Sequence, residues 1–200
     1  MNGPKPLQVC LFASESDGAE RVFGTAATEL GRALGAGGHT LIFGGASTGL
    51  AGSVADATLA FGGDVTAFVD QPRPDDDGAD LTNLVVADSA EDARRRMLGT
   101  GDAAVAMPGG LAPLSELLEA ASGGWADHHQ LRIGLLNVNG FFEPLLQLLD
   151  RALVDRFLEP LERERFLVDV DPQRLLGRLA ESSPHRASTT VATDDSPATS

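Results

Sequence analysis

The chain has 200 residues, 42% of them apolar, with 29 acidic residues against 15 Lys and Arg and a formal net charge of −14. That length and apolar content fit one folded domain with a sizeable core and exclude a wholly disordered chain. The acidity excludes nucleic acid and anionic membranes as bulk partners, while a small anion can still be held locally by backbone N–H groups.

The pattern alternates between two periods. "LQVCLFA" (7–13) is a short apolar run of strand type. Residues 19–38 place Val22, Ala26, Leu30, Ala33 and Leu34 at helical spacing and close on a glycine cluster. "HTLIFGG" (39–45) predicts a second strand, 49–63 a second helix and "DVTAFVD" (64–70) a third strand. The proline-rich, acidic 71–80 predicts an exposed loop. A strand at 83–87 follows, then a helix to about 99 that opens on Ser89 and Asp92 with a capping-box spacing.

Further strands are expected at 102–107, 132–138 and 165–170, and further helices at 113–122, 141–157 and 172–180. Such alternation predicts an α/β fold, an open parallel sheet with helices on both faces, in a single domain over 7–181. Residues 1–6 are expected as a flexible N-terminus. Residues 182–200, rich in Ser, Thr, Pro and Asp without periodicity, are expected as a disordered tail.

Cys10 is the only cysteine and reads as a core thiol, so no disulfide framework is possible within the chain. No basic-then-apolar leader and no apolar run of membrane-spanning length is visible, which gives the expectation of a soluble, cytoplasmic protein.

In open α/β sheets, ligands sit at the carboxyl ends of the strands near a switch point. Two glycine-rich turns fall at such ends. In "FGGASTGLAG" (43–52) the glycine spacing departs from the dinucleotide fingerprint. The wider turn reads either as a one-phosphate cradle, with Gly44, Gly45, Ser47, Thr48 and Gly49 around it, or as a plain tight turn. In "MPGGLAP" (107–113) Pro108, Gly109 and Gly110 let backbone approach a ligand, and Pro113 falls in the first turn of a helix whose N-terminus favours an anion. Glu116 stands about one turn in and can point back over the opening, although a solvated helix glutamate is the alternative. In "DARRRM" (92–97) at least one of three arginines can face a pocket, the others forming a charged outer face.

Taken together, "FASES" (12–16), "GGASTGLAG" (44–52), "DARRRM" (92–97), "PGGLAPLSE" (108–116) and "GLLNVNGFFEPLL" (134–146) resemble the LOG ("Lonely guy") family of nucleoside 5′-monophosphate phosphoribohydrolases, formerly called lysine decarboxylase-like. The family pattern runs F-C-G-S-S, G-G-G-x-x-G-L-M-G, an R-K pair on a helix, and P-G-G-x-G-T-x-x-E. The resemblance covers roughly residues 7–180. It implies a Rossmann-like fold, homodimers with active sites close to the subunit interface, and cleavage of a nucleotide N-glycosidic bond to free base and ribose 5-phosphate.

Carried over residue by residue, it implies Glu116 as the catalytic carboxylate. Arg94 stands at the family's lysine and Ala93 at its arginine, so Arg94 is the candidate to serve as the catalytic cation. Ser14, Gly44, Gly45, Ser47, Thr48, Gly49, Arg95, Met97, Pro108, Gly109, Gly110, Leu111, Ala112 and Pro113 become the candidate substrate-binding set. The chain departs from the pattern at Ala46, Ala51 and Ala93, and at Ala112-Pro113 where the family has Gly-Thr. Trp125 lies two places past the family's tryptophan, and His129 matches a histidine position.

The implied chemistry is that of glycoside cleavage, in which positive charge develops on the sugar. A carboxylate can stabilise that charge, activate water or attack. No cofactor and no metal is expected. Lys5, the only lysine, precedes the first strand and is a poor Schiff-base residue, and His128 and His129 have no metal-ligand spacing. Phe12, Ser14, Glu15 and Trp125 are candidates for reading the base. Two alternatives stand beside hydrolysis: a non-catalytic nucleotide-binding homologue, and a related phosphoribosyl enzyme acting on an unusual nucleotide in specialised metabolism.

Overall fold

The computed structural model describes residues 6–45, 48–71, 81–122 and 131–182. Seven strands form one sheet in the order β4-β3-β2-β1-β5-β6-β7. They are β1 (Gln8–Phe12), β2 (Thr40–Phe43), β3 (Asp64–Val69), β4 (Asn83–Val86), β5 (Ala103–Ala106), β6 (Arg132–Leu136) and β7 (Phe166–Asp169). Every pairing is parallel. The helices are α1 (Arg21–Ala36), α2 (Gly49–Ala60), α3 (Ala90–Thr100), α4 (Leu111–Ser122), α5 (Glu143–Val154), α6 (Pro160–Glu164) and α7 (Pro172–Ser182).

Alternation along the strands divides the core in two. Val9 and Leu11 of β1, with Leu41, Phe43, Val65, Val105 and Leu136, pack under α1, α2 and α7. Cys10 and Phe12 point the other way, with Ile42, Phe68, Ala104, Ile133 and Leu135, under α3, α4 and α5. Both faces of the central strands are therefore apolar, as a sheet covered on both sides requires. The α/β expectation of an open parallel sheet with helices on both faces is met.

Three elements differ from expectation. α4 begins at Leu111, two residues early, because proline is tolerated anywhere in a helix's first turn and Pro113 is its third residue. The helix predicted over 141–157 is α-helical only from Glu143 to Val154, and a 3₁₀ turn, Val138–Gly140, precedes it where the strand expected over 132–138 was to end. There the Asn137 side chain accepts from the Phe142 N–H at 2.8 Å and donates to Glu143 at 2.7 Å, holding the entry to α5. The short, charged α6 was not expected. The expected tail, most of the 71–80 loop and Lys5 lie outside the described residues.

Among the described residues, no helix is long and apolar enough to cross a membrane. The sheet reverses its winding between β1 and β5, whose registers pair Phe12 with Ala106. The carboxyl ends of β3, β2, β1 and β5 consequently stand side by side, and the turns after them form one crevice.

Candidate active site

Two cavities open along this crevice and share two walls, Gly44 and Glu116. The larger, about 490 Å³, lies between the turn after β1 and the start of α4, and is lined by Ser14, Glu15, Ser16, Gly110, Leu111, Ala112 and Pro113 among others. The smaller, about 150 Å³, lies between the end of β3 and α3, lined by Phe68, Val69, Asp70, Gln71, Ala90, Ala93, Arg94 and Met97.

The larger lobe is built by close backbone approach. Gly49 has φ +65°, and a Cβ there would fall 2.1 Å from the Glu15 carbonyl carbon, so only glycine lets the start of α2 lie against the turn after β1. The Ala51 N–H donates to the Ser14 carbonyl at 3.1 Å, and the Thr48 hydroxyl to the Glu15 carbonyl at 3.3 Å. Ser14 Oγ accepts from the Ser16 N–H at 3.0 Å. Across the lobe, a Cβ on Gly109 would fall 2.4 Å from Pro113 Cγ, so this glycine allows the tight entry into α4. The first turn of α4 leaves backbone N–H groups without helical partners at the cavity wall, apart from Pro113, which has none to offer.

Glu116 is half-buried on α4 between the two lobes. Burial pushes its carboxyl from an ordinary 4.5 up to about 6; Arg94 opposes that rise, while Glu119 and Glu15 add to it. Arg94 reaches across from α3 to bond Glu119 at 3.2 Å, the two side chains being 38% and 17% exposed. Arg96 bonds Asp92 at 2.7 Å, and Arg95 also pairs with Asp92. The Ser89 Oγ accepts from the Asp92 N–H at 3.1 Å, as the capping spacing predicted.

The sequence-predicted residues thus separate. Ser14, Gly44, Gly110, Leu111, Ala112, Pro113, Arg94, Met97 and Glu116 line the crevice. Gly45, Thr48, Gly49, Pro108 and Gly109 belong to the turns that frame it. Arg95 is exposed against Asp92 and lies outside both cavity linings. Phe12 is fully buried in the core beneath α3 and α4, so it does not read a base. Ser47, Trp125, His128 and His129 lie outside the described residues.

Sequence reasoning did not find Phe68, Asp70, Gln71 and Ala90. The signal for Asp70 and Gln71 was their position just past a strand's carboxyl end. Glu15, a candidate base reader, instead lines the lobe at the start of α4.

The family model described as "Possible lysine decarboxylase" matches residues 51–179. A probable cytokinin riboside 5′-monophosphate phosphoribohydrolase of Oryza sativa subsp. japonica is 33% identical over 180 residues, covering 88% of this chain and 73% of its own length. A cytokinin riboside 5′-monophosphate phosphoribohydrolase of Rhodococcoides fascians is 32% identical over 171 residues, covering 84% of this chain and 86% of its own length.

Among solved structures, the molybdenum cofactor binding protein of Rippkaea orientalis superposes with TM-score 0.63 at 17% identity, over 90% of this chain and 98% of its own. The molybdenum cofactor carrier protein of Chlamydomonas reinhardtii superposes with TM-score 0.61 at 18% identity, over 88% and 96%. These two share the fold. On the family match and the identity to these phosphoribohydrolases, the chain belongs to the LOG family.

Proposed function

We propose that this protein hydrolyses the N-glycosidic bond of a nucleoside 5′-monophosphate, releasing free base and ribose 5-phosphate. The observation that carries the reading is the place of Glu116 at the wall shared by two lobes. A nucleotide spanning them puts its base in the smaller lobe, its phosphate in the larger one and its glycosidic bond beside the carboxylate. Loss of the base leaves positive charge on the ribose, which an ionised Glu116 stabilises while taking a proton from the attacking water; the water's hydroxyl bonds to the sugar, and its proton passes on to the departing base to give the neutral free base. With its carboxyl raised to about 6, the group is ionised at neutral pH yet basic enough to accept that proton.

Arg94 faces the same crevice and holds Glu119, so α3 and α4 present a cation beside the carboxylate. The phosphate is received by the turns around Gly44 and Gly110 and by the first turn of α4, with Ser14 and Thr48 close by. The names of the relatives support this reaction. We further propose a homodimer: Leu111 of α4, which lines the crevice, and Leu118 two turns further along the same helix face are exposed, an apolar stripe that a second copy covers. A cytoplasmic setting goes with a nucleotide substrate.

Two observations favour nucleotide binding without turnover as the second reading. Ala93 stands where the family pattern has arginine, and Glu15 brings a carboxylate into the lobe proposed for phosphate. Incubation with AMP, GMP, CMP, UMP, IMP and an N6-substituted AMP, with free base and ribose 5-phosphate measured, separates the two. Release that is lost in Glu116→Gln supports hydrolysis, binding without release supports the second reading, and neither on any nucleotide overturns both.

A further inference from the structure

The smaller lobe holds one polar feature that the proposed reaction leaves unused. Val69, Ala93 and Met97 give it an apolar wall beside Arg94 and Glu116, around a space of about 150 Å³, below the roughly 300–1,000 Å³ of sites for drug-sized ligands and suited to one ring system. At its rim, where β3 ends, Asp70 and Gln71 both stand exposed. Among the described residues neither side chain takes part in a hydrogen bond or ion pair that would hold it elsewhere. Their order follows from the sheet: β3 is one strand beyond β2, so its end lies on the far side of Gly44 from Ser14 and Glu15, the side away from the lobe proposed for phosphate.

Resting on the nucleotide reading above, we propose that Asp70 and Gln71 read the pairing edge of the base and select a purine that carries an amino group there. A carboxylate only accepts hydrogen bonds, whereas an amide both donates and accepts. Asp70 therefore takes the N–H of the amino group while Gln71 donates to the neighbouring ring nitrogen or carbonyl oxygen. A base edge that offers acceptors alone leaves the Asp70 carboxylate facing lone pairs, and a site built around such a bond rejects the analogue that lacks it. Glu116, on the opposite wall, is left to the glycosidic bond.

The test compares AMP and GMP with purine riboside 5′-monophosphate, whose base has ring acceptors and no amino group, by kcat/KM in the wild type, Asp70→Ala, Asp70→Asn and Gln71→Ala. The wild type is expected to favour AMP or GMP over the unsubstituted purine by tenfold or more, and which of the two it favours identifies the aminopurine. Asp70→Ala is expected to reduce that preference to threefold or less, mainly through KM. A wild type that treats all three alike, or an Asp70→Ala variant that keeps the full preference, overturns the proposal.

If the wild type releases no base from any of them, hydrolysis itself fails and the same panel is read by equilibrium binding. A preference lost in Asp70→Ala then supports base reading in a non-hydrolytic protein. Equal affinities, or no binding, overturn it.

Discussion

Arg94 and Glu119 meet at 3.2 Å between α3 and α4, and Glu116 stands three residues before Glu119 on the same helix. The ion pair aims the guanidinium at the crevice, and its charge opposes the rise in the Glu116 carboxyl. Arg94→Ala is expected to reduce kcat/KM by about 100- to 1,000-fold, the range of one lost electrostatic contact to the transition state, and to move the acid limb of the pH–rate profile upward. Arg96→Ala, at an exposed side chain paired with Asp92, is expected to stay within about twofold of wild type on the general ground that surface changes are mild. Equal small effects from both variants remove Arg94 from the site.

Glu116 makes activity and stability run in opposite directions with pH. Its carboxyl is raised in the folded state from 4.5 to about 6, so between those values the folded protein holds more proton than the unfolded chain. Stability therefore falls as pH rises through this window, by on the order of 2 kcal/mol in total. Activity is expected to rise over the same window as the carboxylate forms. Glu116→Gln should abolish base release and, above pH 6, raise the denaturation midpoint relative to wild type, with the two proteins converging near pH 4. Chemical denaturation at pH 4.5 and pH 8 checks the sign, and a variant less stable than wild type at pH 8 contradicts it.

Glu15 stands where the family pattern has serine and shares the larger lobe with Glu116. Its charge repels a phosphate and adds to the rise in the Glu116 carboxyl. Glu15→Ser is expected to lower KM for the preferred nucleoside monophosphate several-fold and to shift the acid limb of the profile downward. Steady-state kinetics at low salt, where exposed charges are least screened, gives the largest difference. An unchanged KM together with an unchanged profile shows that Glu15 does not bear on the bound phosphate.

These effects define what was legible in the sequence. Strands and helices could be read because the two core faces alternate along β1, with Val9 and Leu11 on one side and Cys10 and Phe12 on the other. Phe12 itself was misplaced as a base reader because the face a strand residue occupies depends on its register with β5, which periodicity alone does not supply. Glu116 was legible because a proline-glycine turn and a helix start fix its position within a few residues.

Asp70 and Gln71 were not legible, since their approach to Glu116 comes from strand order, with β3, β2, β1 and β5 side by side, and strand order is a long-range property. Among the arginines, the phase of α3 decides: Ala93 and Met97 face the core, which turns Arg94 toward α4 and leaves Arg95 and Arg96 to Asp92.

The far end of α4 supplies a last prediction, because the helix that carries Glu116 is held there by a buried cation. Arg165 is 7% exposed, and burial lowers its pKa. Its guanidinium donates to the carbonyls of Ala121 at 2.6 Å, Ala120 at 3.2 Å and Leu131 at 3.4 Å. Two of these acceptors lie in the last turn of α4, where carbonyls lack helical partners and the helix dipole is negative, so the cation meets both needs. Lysine cannot match the fork, since one ammonium cannot span the same three carbonyls in plane. Arg165→Met keeps much of the volume but strands the carbonyls, which is expected to cost about 2–4 kcal/mol.

Arg165→Lys is expected to recover less than half of that loss. Denaturant unfolding measures both, and hydrogen exchange along α4 localises the effect, with protection of Leu117 and Ala120 falling before that of β1. A loss spread evenly over the domain, with α4 protected as in wild type, shows that Arg165 supports the core and not this helix.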